Sequence, residues 1–157
     1  MENILKSGFE RLGLDCTENQ IESLKKYADL LKQWNEKINL TGITDDSGIA
    51  IKHFIDSASA LSTGKVGKKV IDVGTGAGFP GLVMKIMKPE LDVTLLDSLN
   101  KRLLFLEDVI DKTGLQNVNL IHSRAEDGAH KADLRENFDT AVSRANELNS
   151  RFAVPFC

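Results

Sequence analysis

The sequence predicts an α/β chain in which an amino-terminal helical cap precedes a mostly parallel sheet. Three observations carry this. The first third spaces its apolar residues three to four apart, short apolar strands alternate with helical stretches from Lys69 onward, and a glycine-rich turn follows the first strand. At 157 residues the chain can bury one core, hiding roughly 70% of the surface its unfolded form exposes. The change of periodicity places the cap over 1–63 and the sheet domain over 64–157.

A short helix is expected over Asn3 to Leu12. Thr17-Glu-Asn-Gln20 then reads as a capping box, in which the Thr hydroxyl and the Gln side chain each satisfy a free helix-end amide. Ile21, Leu24, Ala28, Leu31, Trp34 and Ile38 follow on one face, with Glu22, Lys25, Lys26 and Lys32 between them, which predicts an amphipathic helix of about five turns. Trp34 reads as a core residue of that face. A third helical pattern starts near Ser47 and runs through Ile51, Phe54, Ile55, Ala58 and Leu61.

Gly64, Gly67 and the basic Lys65, Lys68 and Lys69 mark a connecting turn. Strands are expected at Lys69 to Val73, Val93 to Leu96, Val118 to Ile121 and Phe138 to Val142. Between the second and third, Leu99 to Ile110 carries Leu103, Leu106, Val109 and Ile110 on one face with Gly114 just beyond its end, the pattern of a crossover helix.

Composition narrows the function classes. Charged residues make up 27% and apolar ones 41%, an ordinary globular balance, and the net charge of −3 argues against coating nucleic acid by bulk electrostatics. No stretch approaches the roughly 20 apolar residues of a membrane span, and Met1 to Leu14 carries charges at Glu2, Lys6, Glu10 and Arg11 that a signal peptide core lacks. Cys16 and Cys157 are too far apart for a metal knuckle and too few for a disulfide framework, so no metal is expected and a reducing cytoplasm fits.

The chemistry concentrates in Asp72-Val73-Gly74-Thr75-Gly76-Ala77-Gly78-Phe79-Pro80-Gly81. A turn that bends sharply and lets a ligand approach its backbone needs glycine, and Pro80 suits the first helical position. Gly76, Gly78 and Gly81 also spell Gly-x-Gly-x-x-Gly, so a nicotinamide or flavin dinucleotide is the rival ligand and an NAD-dependent oxidoreductase the rival enzyme. Three features favour S-adenosyl-L-methionine. Gly74-x-Gly76-x-Gly78 is tighter than the dinucleotide spacing. Asp97 closes the second strand about 19 residues after Gly78, where it can accept from ribose hydroxyls. Asp72, two residues before Gly74, places an acid beside a pocket for ammonium and sulfonium charge and would be unhelpful near a pyrophosphate. A purely structural glycine turn is the third reading.

Trp34-Asn35, Asn39-Leu40-Thr41, His53-Phe54-Ile55-Asp56-Ser57, the glycine turn, Asp97-Ser98-Leu99-Asn100-Lys101-Arg102, Arg124-Ala125-Glu126 and Ser143-Arg144-Ala145 follow one another at a specific spacing. Together they resemble the bacterial 16S ribosomal RNA (guanine-N7) methyltransferase family, also called glucose-inhibited division protein B, over nearly the whole chain. The resemblance implies a Rossmann-like S-adenosylmethionine-dependent methyltransferase fold and a cytoplasmic, monomeric enzyme acting on a decoding-region guanosine of 16S ribosomal RNA or the small ribosomal subunit. It implies that Gly74 and Phe79 line the methionine end of the donor, Ala125 and Glu126 the adenine end, and that Arg144 lies at the mouth. Asp72, Gly76, Gly78 and Asp97 complete the expected donor site.

Guanine N7 carries an in-plane lone pair and attacks a methyl group with no proton to remove, so no general base is required. Positioning would then supply the rate. Asn39, His53 and Arg144 are the candidates for that role, and Thr41, Lys101 and Arg102 the candidates for RNA contact; the ordinary readings are turn residues, a packed histidine and solvated helix charge. Members of the resembled family continue with further strands, whereas Cys157 falls within the helix expected after the fourth strand. The sheet is therefore expected to be incomplete at its carboxyl-terminal end, with an exposed fourth strand. A donor-binding or RNA-binding module with impaired catalysis is the corresponding alternative.

Overall fold

The structure is a computed structural model that describes residues 1–131, 134, 137–144 and 151–154. The chain opens with α1 (Glu2–Arg11) and α2 (Glu18–Asn35). The capping box forms as the sequence predicts: Gln20 N donates to Thr17 Oγ1 at 3.2 Å and Thr17 N to Gln20 Oε1 at 2.8 Å. The Gln20 amide also donates to the Ile86 and Met87 carbonyls at 3.0 Å each, fastening the start of α2 to the end of a helix in the sheet domain. Ile21, Leu24, Tyr27, Ala28, Leu30 and Leu31 are buried, each large aliphatic contributing about 1.5–3 kcal/mol.

The third helical pattern is not a plain α-helix. An α turn, α3 (Asp46–Gly48), leads into a π-helical segment (Ile49–Ile55) and an α turn, α4 (Asp56–Ala58). Its buried residues come in pairs four apart: Ile49 and Ala50, His53 and Phe54, Ser57 and Ala58. An α-helix would rotate each pair by about 40° from the last, whereas the wider winding keeps all three facing inward. Gly8 of α1 lets this segment pack closely, because a Cβ there would collide with the Ile55 side chain.

The sheet follows as β1 (Lys69–Val73), β2 (Asp92–Asp97), β3 (Val118–His122), β4 (Thr140–Arg144) and β5 (Arg151–Val154). Between them lie α5 (Gly81–Met87), α6 (Asn100–Thr113) and α7 (Ala125–His130). Gly114 ends α6 in the left-handed conformation with φ 69°, as expected of a glycine just past the last turn. The spatial order is β3-β2-β1-β4-β5, with β1 parallel to both β2 and β4. The connections thus reverse direction between β1 and β4, and the crevice above the carboxyl ends of these strands is where such folds bind ligands.

Two sequence expectations are corrected at the carboxyl-terminal end. Residues 151–154 are not helical but form β5, and β5 pairs antiparallel with β4 from Ala141↔Val154 to Arg144↔Arg151. The fourth strand therefore has a partner on the edge that was expected to be bare, because unpaired backbone amides and carbonyls of β4 are satisfied by a strand-forming Arg-Phe-Ala-Val segment. The rest of the expected helix, 147–150 and 155–157, lies outside the described residues, as does Ala145 of the Ser143-Arg144-Ala145 motif.

One core joins both parts of the chain. It runs from Leu5 and Phe9 through Leu24, Leu31 and Phe54 to Leu82, Met84, Val93, Phe105 and Leu106. Among the described residues no helix is long and apolar enough to cross a membrane.

Candidate functional site

The glycine turn is held from below by two aspartates. Asp72 Oδ2 accepts from Thr75 Oγ1 and from Gly81 N, both at 2.8 Å, so it ties the turn to the first amide of α5. Its other oxygen is buried without a hydrogen-bond partner among the described residues, and burial raises the carboxyl from 3.8 to about 7. Asp97 Oδ2 accepts from Gly76 N at 2.8 Å and its Oδ1 from Leu99 N at 2.9 Å, with Arg102 at 3.5 Å. Gly74 N and Thr75 N donate to Leu96 O at 2.9 and 3.0 Å, fixing the turn against β2.

From above the turn meets the helices. Tyr27, fully buried on α2, donates its hydroxyl to Ala77 O and stacks on Phe79 at 5.5 Å; burial and the nearby Asp72 push the phenol well above its ordinary range. Gly74 and Gly76 adopt φ of +69° and +59°, and a Cβ at either would touch nothing within 4 Å. That open face is what a ligand approaching the backbone requires. Gly78 is different: it is buried, and a Cβ there would lie 2.7 Å from Leu106 Cδ2.

Above the open glycines is a cavity of about 720 Å³, within the range of small-molecule sites. Its floor is Val73, Gly74, Thr75, Gly76, Ala77 and Phe79; its far wall is Ser143 and Arg144 of β4; its roof is Asn39, Leu40, Thr41, Gly42 and His53; Arg102 and Ala125 close the side. Of the residues singled out from sequence, Asn39, Thr41, His53, Gly74, Gly76, Phe79, Arg102, Ala125 and Arg144 thus come together on one cavity. Asp72, Gly78 and Asp97 lie behind the turn as struts, Asp97 being only 1% exposed. Lys101 and Glu126 are exposed next to the lining residues Arg102 and Ala125.

The roof is built by residues whose role the sequence did not disclose. Asn35, at the end of α2, accepts from Leu40 N at 2.7 Å and Thr41 N at 2.9 Å, and donates to Thr41 O at 2.9 Å. This clamp reverses the chain and presents Thr41. The only signal was an Asn at a helix end, a residue type that hydrogen-bonds backbone in turns. Trp34 is half-buried at the edge of Phe105 and donates Nε1–H to Asp108 at 2.8 Å.

His53 and Arg144 join roof to wall. His53 stacks on Phe79 with centroids 4.5 Å apart and planes 9° apart. Arg144 lies over the same ring at 5.1 Å, donating to His53 Nδ1 at 2.7 Å and Lys52 O at 3.0 Å, with Asp56 at 3.6 Å. Burial, then the Arg144 charge, lower His53 from 6.5 to about 4, so it is neutral at physiological pH.

This arrangement discriminates between ligands. A dinucleotide pyrophosphate seeks the free amides at the helix start after the glycine turn, but Gly81 N is taken by Asp72, and a phosphate there would face a carboxyl group. The site instead offers open glycine backbone, the buried Phe79 ring and two guanidiniums, Arg102 and Arg144.

The model of the rRNA small subunit methyltransferase G (GidB) family matches residues 20–153. The chain belongs to that family. Relatives of the same name are similar throughout: the protein of Clostridium perfringens strain 13 is 53% identical over 98% of this chain, and those of Clostridium beijerinckii and Alkaliphilus oremlandii are 54% and 48% identical over 91% and 92% of it. The chain spans 66%, 61% and 62% of the lengths of these three. Among solved structures, coclaurine N-methyltransferase bound to N-methylheliamine and SAH superposes with a TM-score of 0.51 at 17% identity, covering 90% of this chain and 50% of that one. That likeness establishes the methyltransferase-type Rossmann-like fold for this family member.

Proposed function

We propose that this chain binds S-adenosyl-L-methionine in the cavity over the glycine turn and transfers its methyl group to N7 of a decoding-region guanosine in 16S ribosomal RNA, as a cytoplasmic monomer. The observation that carries the reading is the open glycine face at Gly74 and Gly76 beneath a cavity at the β1–β4 switch point, in a chain of the rRNA small subunit methyltransferase G family.

The residues present fit the donor. Gly74, Gly76 and Phe79 would hold its methionine end and Ala125 and Glu126 its adenine, while Asp72, Gly78 and Asp97, the last expected at the ribose but buried behind the turn, keep the turn in shape. When bound, the donor supplies an electrophilic methyl group on a sulfonium sulfur. Phe79 is packed among Tyr27, His53 and Arg144, which fixes its ring beneath the cavity. Thr41, Lys101 and Arg102 face the RNA side, the last two as phosphate contacts.

No residue need remove a proton, because N7 attacks with its own lone pair. His53 is accordingly a positioning residue: its Nδ1 lone pair is held by Arg144 and its Nε2 faces Thr41 at 2.8 Å. Asn39 and Arg144 serve the same end, presenting the base in line with the methyl group.

Calorimetric titration with S-adenosylmethionine, followed by a methylation assay on small subunits lacking the modification and nuclease digestion to find N7-methylguanosine, tests the reading. Saturable donor binding and N7-methylguanosine are expected. Binding of NAD with no affinity for the methyl donor would sink it.

A further inference from the structure

The hydrogen-bond directions in the roof of the cavity are determined by one cation. A guanidinium has donors only, so the 2.7 Å contact between Arg144 Nη2 and His53 Nδ1 requires that Nδ1 carry no proton. The imidazole proton therefore sits on Nε2, which lies 2.8 Å from Thr41 Oγ1 and must donate to it. Thr41 Oγ1 also accepts from Ile43 N at 3.0 Å. A hydroxyl has two acceptor lone pairs and one proton. Both lone pairs are filled, and among the described residues no acceptor takes the proton, which is left to the cavity that Thr41 lines.

Thr41 thus presents to the ligand a hydroxyl that can only donate. On the edge of a purine that bears N7, guanine offers an acceptor, O6, and adenine a donor, the N6 amino group. We infer that Thr41 selects guanine by donating its hydroxyl proton to O6 of the target base, with Arg144 and His53 acting as positioning residues that fix the direction of that proton. The inference rests on the guanosine-N7 reading above. An adenine in the same place would set amino group against hydroxyl, two donors with no acceptor between them. His53 stays neutral because it is buried beside Arg144, which keeps the relay in one state across the physiological range.

The test is a binding cycle between enzyme and substrate. A synthetic decoding-region RNA is prepared with guanosine at the target, and again with 2-aminopurine, which keeps N7 and the 2-amino group but lacks O6 and the N1 proton, so the readout is the change in preference between variants. Affinities are measured with S-adenosylhomocysteine present so that no turnover intervenes. The wild-type chain is expected to favour guanosine by roughly 3- to 10-fold, the range of one neutral hydrogen bond. Thr41→Ser should keep the preference, and Thr41→Val should reduce the ratio by that factor, whatever change in affinity the two RNAs share. A preference undiminished in Thr41→Val, or no preference in the wild type, overturns the inference.

Nitrogen-15 spectra of the histidines test the relay itself. His53 is expected as the Nε2–H tautomer at neutral pH, and its Nε2 resonance should shift in Thr41→Val. An Nδ1–H or a doubly protonated ring refutes the relay. Guanine preference without methyl transfer from S-adenosylmethionine would leave this inference standing and remove the proposed activity; N7 methylation with unchanged preference in Thr41→Val would do the reverse.

Discussion

Asp72→Asn should change how the stability of the fold depends on pH. The native carboxyl keeps its proton up to about pH 7, whereas the unfolded chain releases it near 3.8. Between these values the folded state binds one proton more than the unfolded state, so the contribution of Asp72 to stability falls as pH rises. The separation of about three units corresponds to roughly 4 kcal/mol in total, of which about 2–3 kcal/mol is lost between pH 5 and pH 8. Asparagine can keep the acceptor that Gly81 N–H and the Thr75 hydroxyl use, and it does not titrate. Its amino group would occupy the place of the unpartnered oxygen, a pH-independent cost of about 1–3 kcal/mol. Urea denaturation of both proteins across pH 5–8 separates the two effects. The variant should be the less stable at pH 5 and gain about 2–3 kcal/mol on wild type by pH 8. Stability profiles that run parallel would show that Asp72 is ionised in the fold throughout, and the burial argument would fail.

Other perturbations probe the two walls of the cavity separately. Gly74→Ala and Gly76→Ala should each cost about 1–2 kcal/mol in thermal denaturation, from backbone conformation alone, yet weaken methyl-donor binding in calorimetry because the new methyl stands on the open face. Gly78→Ala should cost about 3 kcal/mol or more, since strain there adds to overlap with Leu106. Arg144→Ala removes the second cause of the lowered His53 pKa, so the imidazole should titrate above 4 yet below 6.5 in an NMR titration, burial still holding it down. Asn35→Ala loses all three turn hydrogen bonds; about 2–4 kcal/mol of stability should go with them, and hydrogen exchange at the Leu40 and Thr41 amides should accelerate.

What the sequence disclosed and what it concealed divide by range. The capping box at Thr17, the Gly114 stop and the strands at Lys69, Val93 and Val118 are local signals, and each appears within about two residues of its expected place. The fourth strand starts at Thr140 rather than Phe138, level with the start of β1: Asp139, just before it, closes on Lys69, its carboxylate accepting from Lys69 N and its amide donating to Lys69 O. The π winding of 49–55 follows from contacts with α1 and the core that no window of that segment contains. Residues 151–154 were read as helix because local pattern is silent about the open edge of β4 that they pair with. The acid at Asp72 was legible from its spacing, but its attachment to Gly81 N, nine residues on, was not. Tyr27 was hidden for a simpler reason, since a tyrosine at helical spacing between Leu24 and Leu31 reads as one more apolar contact.

The long-range contact that matters most is the one between His53 and Arg144, 91 residues apart in sequence. It exists because β4 inserts beside β1 and carries its last residue over the glycine turn, under the π segment. Phe79 then lies in contact with both, against His53 at 4.5 Å and against the guanidinium at 5.1 Å. A ligand that moved Phe79 would therefore disturb the two groups proposed to orient Thr41, and a base held there as proposed would bear on the same ring. On the proposed reading the floor and the roof share three side chains, so occupancy of one is expected to alter the other, and by linkage that coupling would act equally in both directions. Donor affinity measured with and without RNA should therefore differ in the wild type and converge in Arg144→Ala, where the ring and the imidazole lose their common partner.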